Sequence, residues 1–243
     1  MKLLPFHFRK TFSKDVFYCL GLVFWVLIVT VGTQYVITYA MLWLLGRTRL
    51  TEPLWTTVTT AMVYLASALI IILLPRFGQK LKFSRKELGL SGLLTYTDIG
   101  IAILGYILVI ITAGFILTLL TNLRLIDATE AQALNYQNLT NGAERVIAYI
   151  GLAIIAPIAE EIVFRGWLYG KLRQKIHLLP AILLTSILFG FLHGQWNVGI
   201  TVGILSIVNC LERELTGTIY AGILTHMIQN SLAFALLILR GLL

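Results

Sequence analysis

Charged residues are scarce in this sequence. Of its 243 residues only 12% are charged, while 58% are hydrophobic. Soluble globular domains carry about 25% charged residues, and a soluble protein of this length could not hide so much apolar surface from water. The composition therefore excludes a soluble globular protein and predicts an integral membrane protein.

Cysteine is also scarce, and features of other protein classes are absent. The two cysteines, Cys19 and Cys210, both lie in apolar stretches. This count and placement exclude a disulfide framework and a Cys-x-x-Cys metal site, so both are interpreted as small core side chains. The sequence shows no internal repeat, low-complexity tract or soluble domain.

Seven apolar segments are candidates for membrane-spanning helices, which need about 20 apolar residues each. They cover roughly 16–45, 54–75, 98–121, 145–170, 178–194, 197–211 and 216–239. The fifth and sixth are short, and the sixth also fits a re-entrant or strongly tilted helix. We therefore predict an all-α, polytopic membrane helical bundle of about seven transmembrane helices.

The basic residues lie between the apolar segments, which is how membrane topology is encoded. With a cytoplasmic N-terminus, 13 of the 19 lysines and arginines fall inside and five outside, and Arg165 lies within a span. This bias predicts a multi-pass protein of the cell membrane with its N-terminus in the cytoplasm. The net charge of +8 is explained by topology, so nucleic acid is not an expected partner.

Ionisable residues inside the predicted spans are concentrated in the C-terminal half. Arg, Lys or Asp at the centre of a spanning helix costs at least about 2.5–3.5 kcal/mol, and such residues usually mark function. The polar set comprises Glu160, Glu161 and Arg165 in the fourth segment, His193 in the fifth, and His226 and Asn230 in the seventh. We therefore divide one integrated domain into scaffold helices, 1–144, and a functional core, 145–243.

Helical spacing sorts these residues by face. Glu161 and Arg165 are four residues apart and can form an ion pair, while Glu160 lies about 140° around the helix from Arg165. Phe189 is four residues before His193, so its ring can cover the imidazole. His226 and Asn230 share a face in the same way.

Three of these side chains lie at a similar depth. At about 1.5 Å per residue, Glu160, His193 and His226 fall near the middle of a hydrocarbon core about 30 Å thick. The Glu161–Arg165 pair is interpreted as structural, and a lone membrane histidine often joins two helices by a hydrogen bond. Two histidines, an asparagine and an unpaired glutamate at one depth favour a polar intramembrane cavity.

The motifs that carry these residues resemble those of a known family. In chain order they are Glu160-Glu161-xxx-Arg165, Phe189-xxx-His193 and His226-xxx-Asn230. Together they resemble the three motifs of the CPBP intramembrane proteases, which include the CAAX prenyl proteases and the bacterial Abi-type bacteriocin-processing or self-immunity proteins. Each motif is weak alone, but their order and helical context are specific, and the resemblance covers about 145–240.

The resemblance implies an intramembrane endopeptidase with its active site in a cavity of a helical membrane fold. The substrate would be a peptide or a membrane protein, cleaved in peptide or bacteriocin maturation, self-immunity or CAAX-type processing. Glu160 would activate the attacking water with His193 beside it. His226 and Asn230 would line the site and support the oxyanion.

The remaining motif residues are expected to have structural roles. By the resemblance, Arg165 with Glu161 would brace the helix, and Phe189 would support His193.

A zinc site is the open mechanistic alternative. Two histidines and a carboxylate can bind zinc with water in the fourth position, and the ligands would then be Glu160, His193 and His226. The sequence has no His-Glu-x-x-His motif. Similarity to glutamate-dependent members favours a mechanism without a cofactor.

Two functions other than proteolysis are also compatible with the sequence. The first is a non-enzymatic bacteriocin self-immunity or membrane-partner-binding protein on the same fold, in which the motifs serve packing. The second is a transporter or channel with a proton-relay carboxylate. The sequence lacks the paired half-repeats and matched broken helices typical of transporters.

Overall fold

A computed structural model of the chain describes residues 12–45, 52–78, 84–127, 139 and 141–240. Seven helices and no strand occur in these ranges, which confirms the predicted all-α fold. The helices are α1 (Phe12–Leu45), α2 (Glu52–Gly78), α3 (Tyr96–Asn122), α4 (Gly142–Arg173), α5 (Leu178–Phe191), α6 (Trp196–Thr216) and α7 (Tyr220–Arg240).

Five of these helices, α1, α2, α3, α4 and α7, are long and apolar enough to cross a membrane. Their outward faces are hydrophobic: on α3, Leu104, Ile111 and Phe115 are each at least 65% exposed. Water would not tolerate such a surface, but lipid does, so the chain is a multi-pass membrane protein. Of the N-terminal basic residues, Lys2, Arg9 and Lys10 lie outside the described ranges, whereas Lys14 lies in α1. The cytoplasmic N-terminus stays a prediction.

The two shortest predicted segments differ from the other five. Helix α5 has 14 residues, about 21 Å of helix, and is shorter than the hydrocarbon core. Helix α6 is longer than predicted and ends in a polar turn that contains Glu212, Arg213 and Glu214. Both are complete helices, but neither is among the five that meet the length and composition of a span.

Helix α4 is the centre of the bundle. It packs against α1, α2, α5, α6 and α7, while α3 packs on the outside against α6 and α7. Every residue from Val163 to Tyr169 is buried. One apolar cluster joins α1, through Cys19, to α4 and to Cys210 of α6, and both cysteines are buried free thiols, as predicted.

Two stretches of α4 are π-helical rather than α-helical. They cover Ile150–Ile155 and Ile162–Tyr169, and a short α-helical stretch, Ala156–Glu161, lies between them. Short π-helical stretches inside α-helices are frequently found at functional sites. The sequence predicted a regular α-helix here, because a continuous apolar segment is compatible with both α- and π-helical geometry.

Glycines allow a close backbone contact between α5 and α6. A Cβ atom on Gly190 would lie 2.5 Å from the carbonyl oxygen of Gly199, and one on Gly199 would lie 2.8 Å from that of Gly190. Small residues at membrane helix interfaces let two backbones approach closely. Because the obstructing atoms are backbone, neither clash can be relieved by a side-chain rotation.

We predict that Gly190→Ala destabilises the protein by about 1–3 kcal/mol, the usual cost of overpacking. Gly203→Ala is the matched control on α6, because its Cβ would meet only the Ser186 carbonyl oxygen at 3.7 Å. Thermal unfolding of the purified protein in detergent measures both. Equal transition temperatures for the two variants would contradict this account of the interface.

Candidate active site

The two adjacent glutamates of α4 project from the α-helical stretch between the two π-helical stretches. Both are buried, Glu160 at 7% exposure and Glu161 at 0%. Beyond Ile162 the helix no longer turns by 100° per residue, so the predicted angle between Glu160 and Arg165 does not apply. The prediction made from that angle nevertheless holds for Arg165, which pairs with Glu161 and not with Glu160.

Three polar side chains converge on one oxygen of Glu161. Its Oε1 lies 3.0 Å from Nη1 of Arg165, and it accepts a hydrogen bond of 2.9 Å from Nδ2 of Asn209. Nδ1 of His226 lies 3.0 Å from the same oxygen. The predicted Glu161–Arg165 ion pair is therefore present, and it is extended by side chains of α6 and α7.

Glu160 has a sparser environment. Its Oε2 lies 3.4 Å from Nε2 of His226, and the carboxylate borders a cavity. His226 thus stands between the two glutamates, with one ring nitrogen facing each. Either ring nitrogen can donate to the carboxylate that it faces when it carries a proton.

His193 lies just beyond the end of α5 rather than within the helix, contrary to the prediction. Helix α5 ends at Phe191, and His193 occupies the turn before Gly194, whose φ of 70° stops the helix. Nδ1 of His193 lies 2.8 Å from the carbonyl oxygen of Phe189. When Nδ1 donates to that carbonyl, a neutral imidazole keeps Nε2 as an acceptor.

The Phe189 ring packs against both histidines and the structural ion pair. Ring centroids are 5.0 Å from His193 and 5.8 Å from His226. The guanidinium carbon of Arg165 lies 4.5 Å from the Phe189 centroid, over the ring face. Phe189 was predicted to cover His193 alone, but it is the common contact of these three side chains.

A cavity of about 140 Å³ gives Glu160 and His193 a shared space. Its opposite wall comes from α1 and α2, and its polar lining residues there are Thr30, Gln34, Thr60, Tyr64 and Ser67. These helices were interpreted as scaffold without a polar set. The spacings 30–34 and 60–64–67 place each group on one helix face. This pattern is present in the sequence, but it consists of uncharged residues and was not interpreted as part of a site.

Asn230 has a different contact from the one predicted. Its Nδ2 donates a 2.9 Å hydrogen bond to the carbonyl oxygen of Leu152, in the first π-helical stretch of α4. Backbone carbonyls within a membrane need a partner inside the protein, so this bond ties α7 to α4. Neither Asn230 nor His226 is among the residues that line the cavity, contrary to the prediction that both line the site, and their oxyanion roles stay predictions.

Asn209 of α6 was not singled out in the sequence. Its side chain is 1% exposed and donates both to Glu161 and, at 3.2 Å, to the carbonyl oxygen of Gly222. In the sequence, this asparagine stands out only as a polar residue between Val208 and Cys210 in an apolar segment. It was not predicted as a site residue because the candidates were chosen mainly among ionisable side chains.

Another buried carboxylate lies one helical turn beyond Asn209. Glu212, on α6, is 2% exposed and accepts a hydrogen bond of 2.7 Å from the hydroxyl of Thr225, the residue before His226. Gly105 of α3 makes room for this carboxylate, since a Cβ there would collide with its Oε1. The contact joins α3, α6 and α7 beside the His226 position.

Glu160, His193 and His226 are not arranged as a zinc site in the described part of the chain. Among the described residues, no group of three His, Cys, Asp or Glu side chains is positioned to hold a metal ion. Both ring nitrogens of His226 face carboxylates, and Nδ1 of His193 faces a backbone carbonyl. We therefore derive no chemical step through a metal.

Comparison with known families gives a match over part of the chain. The model of the family described as type II CAAX prenyl endopeptidase Rce1-like matches residues 142–232. This range runs from the start of α4 into α7 and includes every motif residue named above. The match supports the predicted resemblance to the CPBP/CAAX protease family and CAAX-type intramembrane protease activity in general. No curated protein and no solved structure shows a significant match to the chain.

We predict that Arg165→Gln destabilises the protein by about 3–5 kcal/mol. The substitution removes the guanidinium charge and leaves the Glu161 carboxylate as a buried charge without its ion-pair partner. Lys175→Gln is the control, since its pair with Asp15 is partly exposed, at 44% and 31%. Such a pair contributes about 0–1 kcal/mol. Denaturation in detergent compares the two, and an equally small loss for both would show that the Glu161 network is not a stabilising centre.

Proposed function

We propose that this protein is an intramembrane endopeptidase in which Glu160 activates water. The observation that carries the proposal is the unequal environment of two adjacent glutamates. Glu161 is bound by Arg165, Asn209 and His226 on one oxygen, whereas Glu160 has one partner at 3.4 Å and faces a cavity. A carboxylate with free acceptor capacity and room for water beside it suits a general base.

The reaction would proceed by addition and elimination. Glu160 takes a proton from water as the water oxygen bonds to the carbonyl carbon of the scissile peptide. The tetrahedral intermediate then collapses, the C–N bond breaks, and the proton passes from Glu160 to the leaving nitrogen. Water, peptide and products balance without a further reactant.

The histidines would have separate tasks. Nε2 of His193, left as an acceptor by the Nδ1 contact with Phe189, can accept a hydrogen bond from the same water and fix its direction. His226 holds the Glu160 carboxylate in place. The support of the oxyanion that the resemblance implies for His226 would require one ring nitrogen to leave its carboxylate.

The size of the cavity bears on the substrate. Its volume of about 140 Å³ is below the range of about 300–1,000 Å³ usual for small-molecule pockets. A cavity of about 150 Å³ holds one benzene molecule, so this space admits a single side chain or peptide group of a substrate. Its biological setting, whether bacteriocin maturation, self-immunity or CAAX-type processing, is supported by the family alone.

We predict that Glu160→Gln abolishes proteolysis while the protein remains folded and inserted. Peptide termini are compared by mass spectrometry in membranes that contain the wild type or the variant at matched abundance. Glu214→Gln is the control, because Glu214 pairs with Arg173 and lies outside the cavity lining. Termini present with wild type and control, and missing with Glu160→Gln, are the expected result.

Full proteolysis by Glu160→Gln would show that another group activates the water. No difference in termini among the three samples would instead favour the non-enzymatic self-immunity or binding function, in which these motifs serve packing.

We further predict that chelators leave the activity of the purified protein unchanged, because the described side chains do not form a zinc site. The rate of peptide cleavage is measured before and after dialysis against a strong zinc chelator, together with the metal content of the protein. Activity that is lost on dialysis and returns with stoichiometric zinc would establish the alternative ligand set of Glu160, His193 and His226.

A further inference from the structure

Glu212 is a buried carboxyl group that the proposed mechanism does not use. It lies in the polar turn that ends α6, beyond the apolar segment 197–211, and is 2% exposed. Its Oε1 accepts a hydrogen bond of 2.7 Å from the hydroxyl of Thr225, and its Oε2 makes no hydrogen bond to any described residue. No cation in the described part of the chain forms an ion pair with it.

The single hydrogen bond that Glu212 accepts is a shared one. The Thr225 hydroxyl has one hydrogen, but three acceptors surround its Oγ1. They are Oε1 of Glu212 at 2.7 Å and the carbonyl oxygens of Ala221 at 3.0 Å and Ala102 at 3.3 Å. An ionised Glu212 would therefore be a buried charge with one shared donor and no counter-ion.

Other glutamates of this region have the partners that Glu212 lacks. Glu161 is paired with Arg165, and Glu214, which is partly exposed, is paired with Arg173. A buried carboxyl group without such a partner becomes neutral rather than remain charged. In agreement with this, burial raises the pKa of Glu212 from its ordinary value of 4.5 to about 7.

Two charged groups of α4 act on Glu212, and both belong to the network around Glu161. Glu161 itself repels a negative charge at this position, and Arg165 attracts it. An ionised Glu212 would therefore compete with Glu161 for the guanidinium. Because Glu161 also contacts His226, this competition would reach the ring that stands beside Glu160.

The other described helices that pack against α6 supply no counter-ion to Glu212. Helix α7 contacts it through the Thr225 hydroxyl, while His226 faces the two glutamates of α4. On α3, Gly105 makes room for the carboxyl group, and the titratable residues of that helix do not bond to it; they are Tyr96, Asp98 and Tyr106. Helix α5 contains no ionisable residue.

We propose that Glu212 carries a proton in the active protease, and that loss of this proton disturbs the Glu161 network and lowers the rate of proteolysis. Glu212 is a positioning residue, since it acts through that network and does not line the cavity. The inference rests on the proposed function and deepens it, because it adds a pH-dependent control of the same site. The step is a proton dissociation in which solvent water is the base.

Infrared spectroscopy of the purified protein detects the proton directly. A neutral carboxylic acid has a C=O stretching band that a carboxylate lacks, and the Glu212 band should be present below a pH of about 7 and lost above it. Glu212→Gln, which keeps the shape of the neutral acid, should lack this band. Glu214→Gln is the matched control, because an ion-paired carboxylate has no such band to lose.

Identical spectra for Glu212→Gln and wild type would overturn the inference. The wild-type titration itself needs no substitution, so the absence of any band that titrates near neutral pH would overturn it even if Glu212→Gln did not fold.

The unfolding temperature gives a second measurement that does not depend on proteolysis. Between about pH 4.5 and 7 the folded protein holds a proton that the unfolded chain releases, so stability falls as the pH rises through this window. The fall for wild type and Glu214→Gln should exceed that for Glu212→Gln by about 5 °C. Equal falls for all three would contradict a proton on Glu212.

The pH profile of cleavage separates control of activity from a purely structural role. The substrate is a synthetic peptide that spans a cleavage site found by the comparison of termini. The wild-type rate should fall as the pH rises through about 7, and Glu212→Gln should retain about threefold more of its rate at alkaline pH. Superimposable profiles would overturn the inference, while cleavage that still requires Glu160 would leave the proposed function intact. Absence of cleavage by wild type at every pH would instead contradict the proposed function, whatever the infrared result.

Discussion

The C-terminal half of the bundle depends on the burial of one charge, the carboxylate of Glu161. Its Oε1 is approached by polar side chains from three helices: Arg165 of α4 as an ion pair, Asn209 of α6 as a hydrogen-bond donor, and His226 of α7. A carboxylate at 0% exposure could not remain ionised in a low-dielectric interior without such partners. Burial of this carboxylate therefore requires these three side chains beside it, and this fixes how α4, α6 and α7 pack against each other.

This arrangement also gives the neighbouring glutamate its character. Because Glu161 engages Arg165 and one ring nitrogen of His226, Glu160 is left with the other ring nitrogen and the cavity. Two carboxylates next to each other in sequence thus differ in chemistry through their partners alone. The change from α- to π-helical geometry directly after Glu161 is part of the same local structure.

Sequence patterns sufficed for the features that rest on composition or on charge. The apolar runs predicted all seven helices, and the four-residue spacing of Glu161 and Arg165 predicted their ion pair, because a buried charge requires a partner. His193 was misplaced within α5, since apolar periodicity does not show where a helix ends. The ending depends on the backbone conformation at Gly194.

Uncharged polar residues were harder to interpret. Asn209 and Ser67 lie in apolar segments. A single amide or hydroxyl group is common in such segments, so its presence alone does not indicate a functional site. Only the packing of α6 against α4, and of α2 across the cavity, gives these residues their partners or leaves them without one. That information is long-range and does not appear in the local pattern of the sequence.

The cavity has walls of two origins, and this bears on how the fold can change its substrate. Glu160, His193 and Phe189 lie within the range that matches the family, whereas the polar residues of α1 and α2 lie outside it. Glu160, which we propose activates water, is joined to the Glu161 network through His226, and every member of that network is buried. Substitutions there would disturb buried charges. The α1 and α2 wall is not part of that network, so its side chains can change without disturbing the buried charges. A division between a constrained chemical wall and a substitutable binding wall would let one reaction serve different peptides.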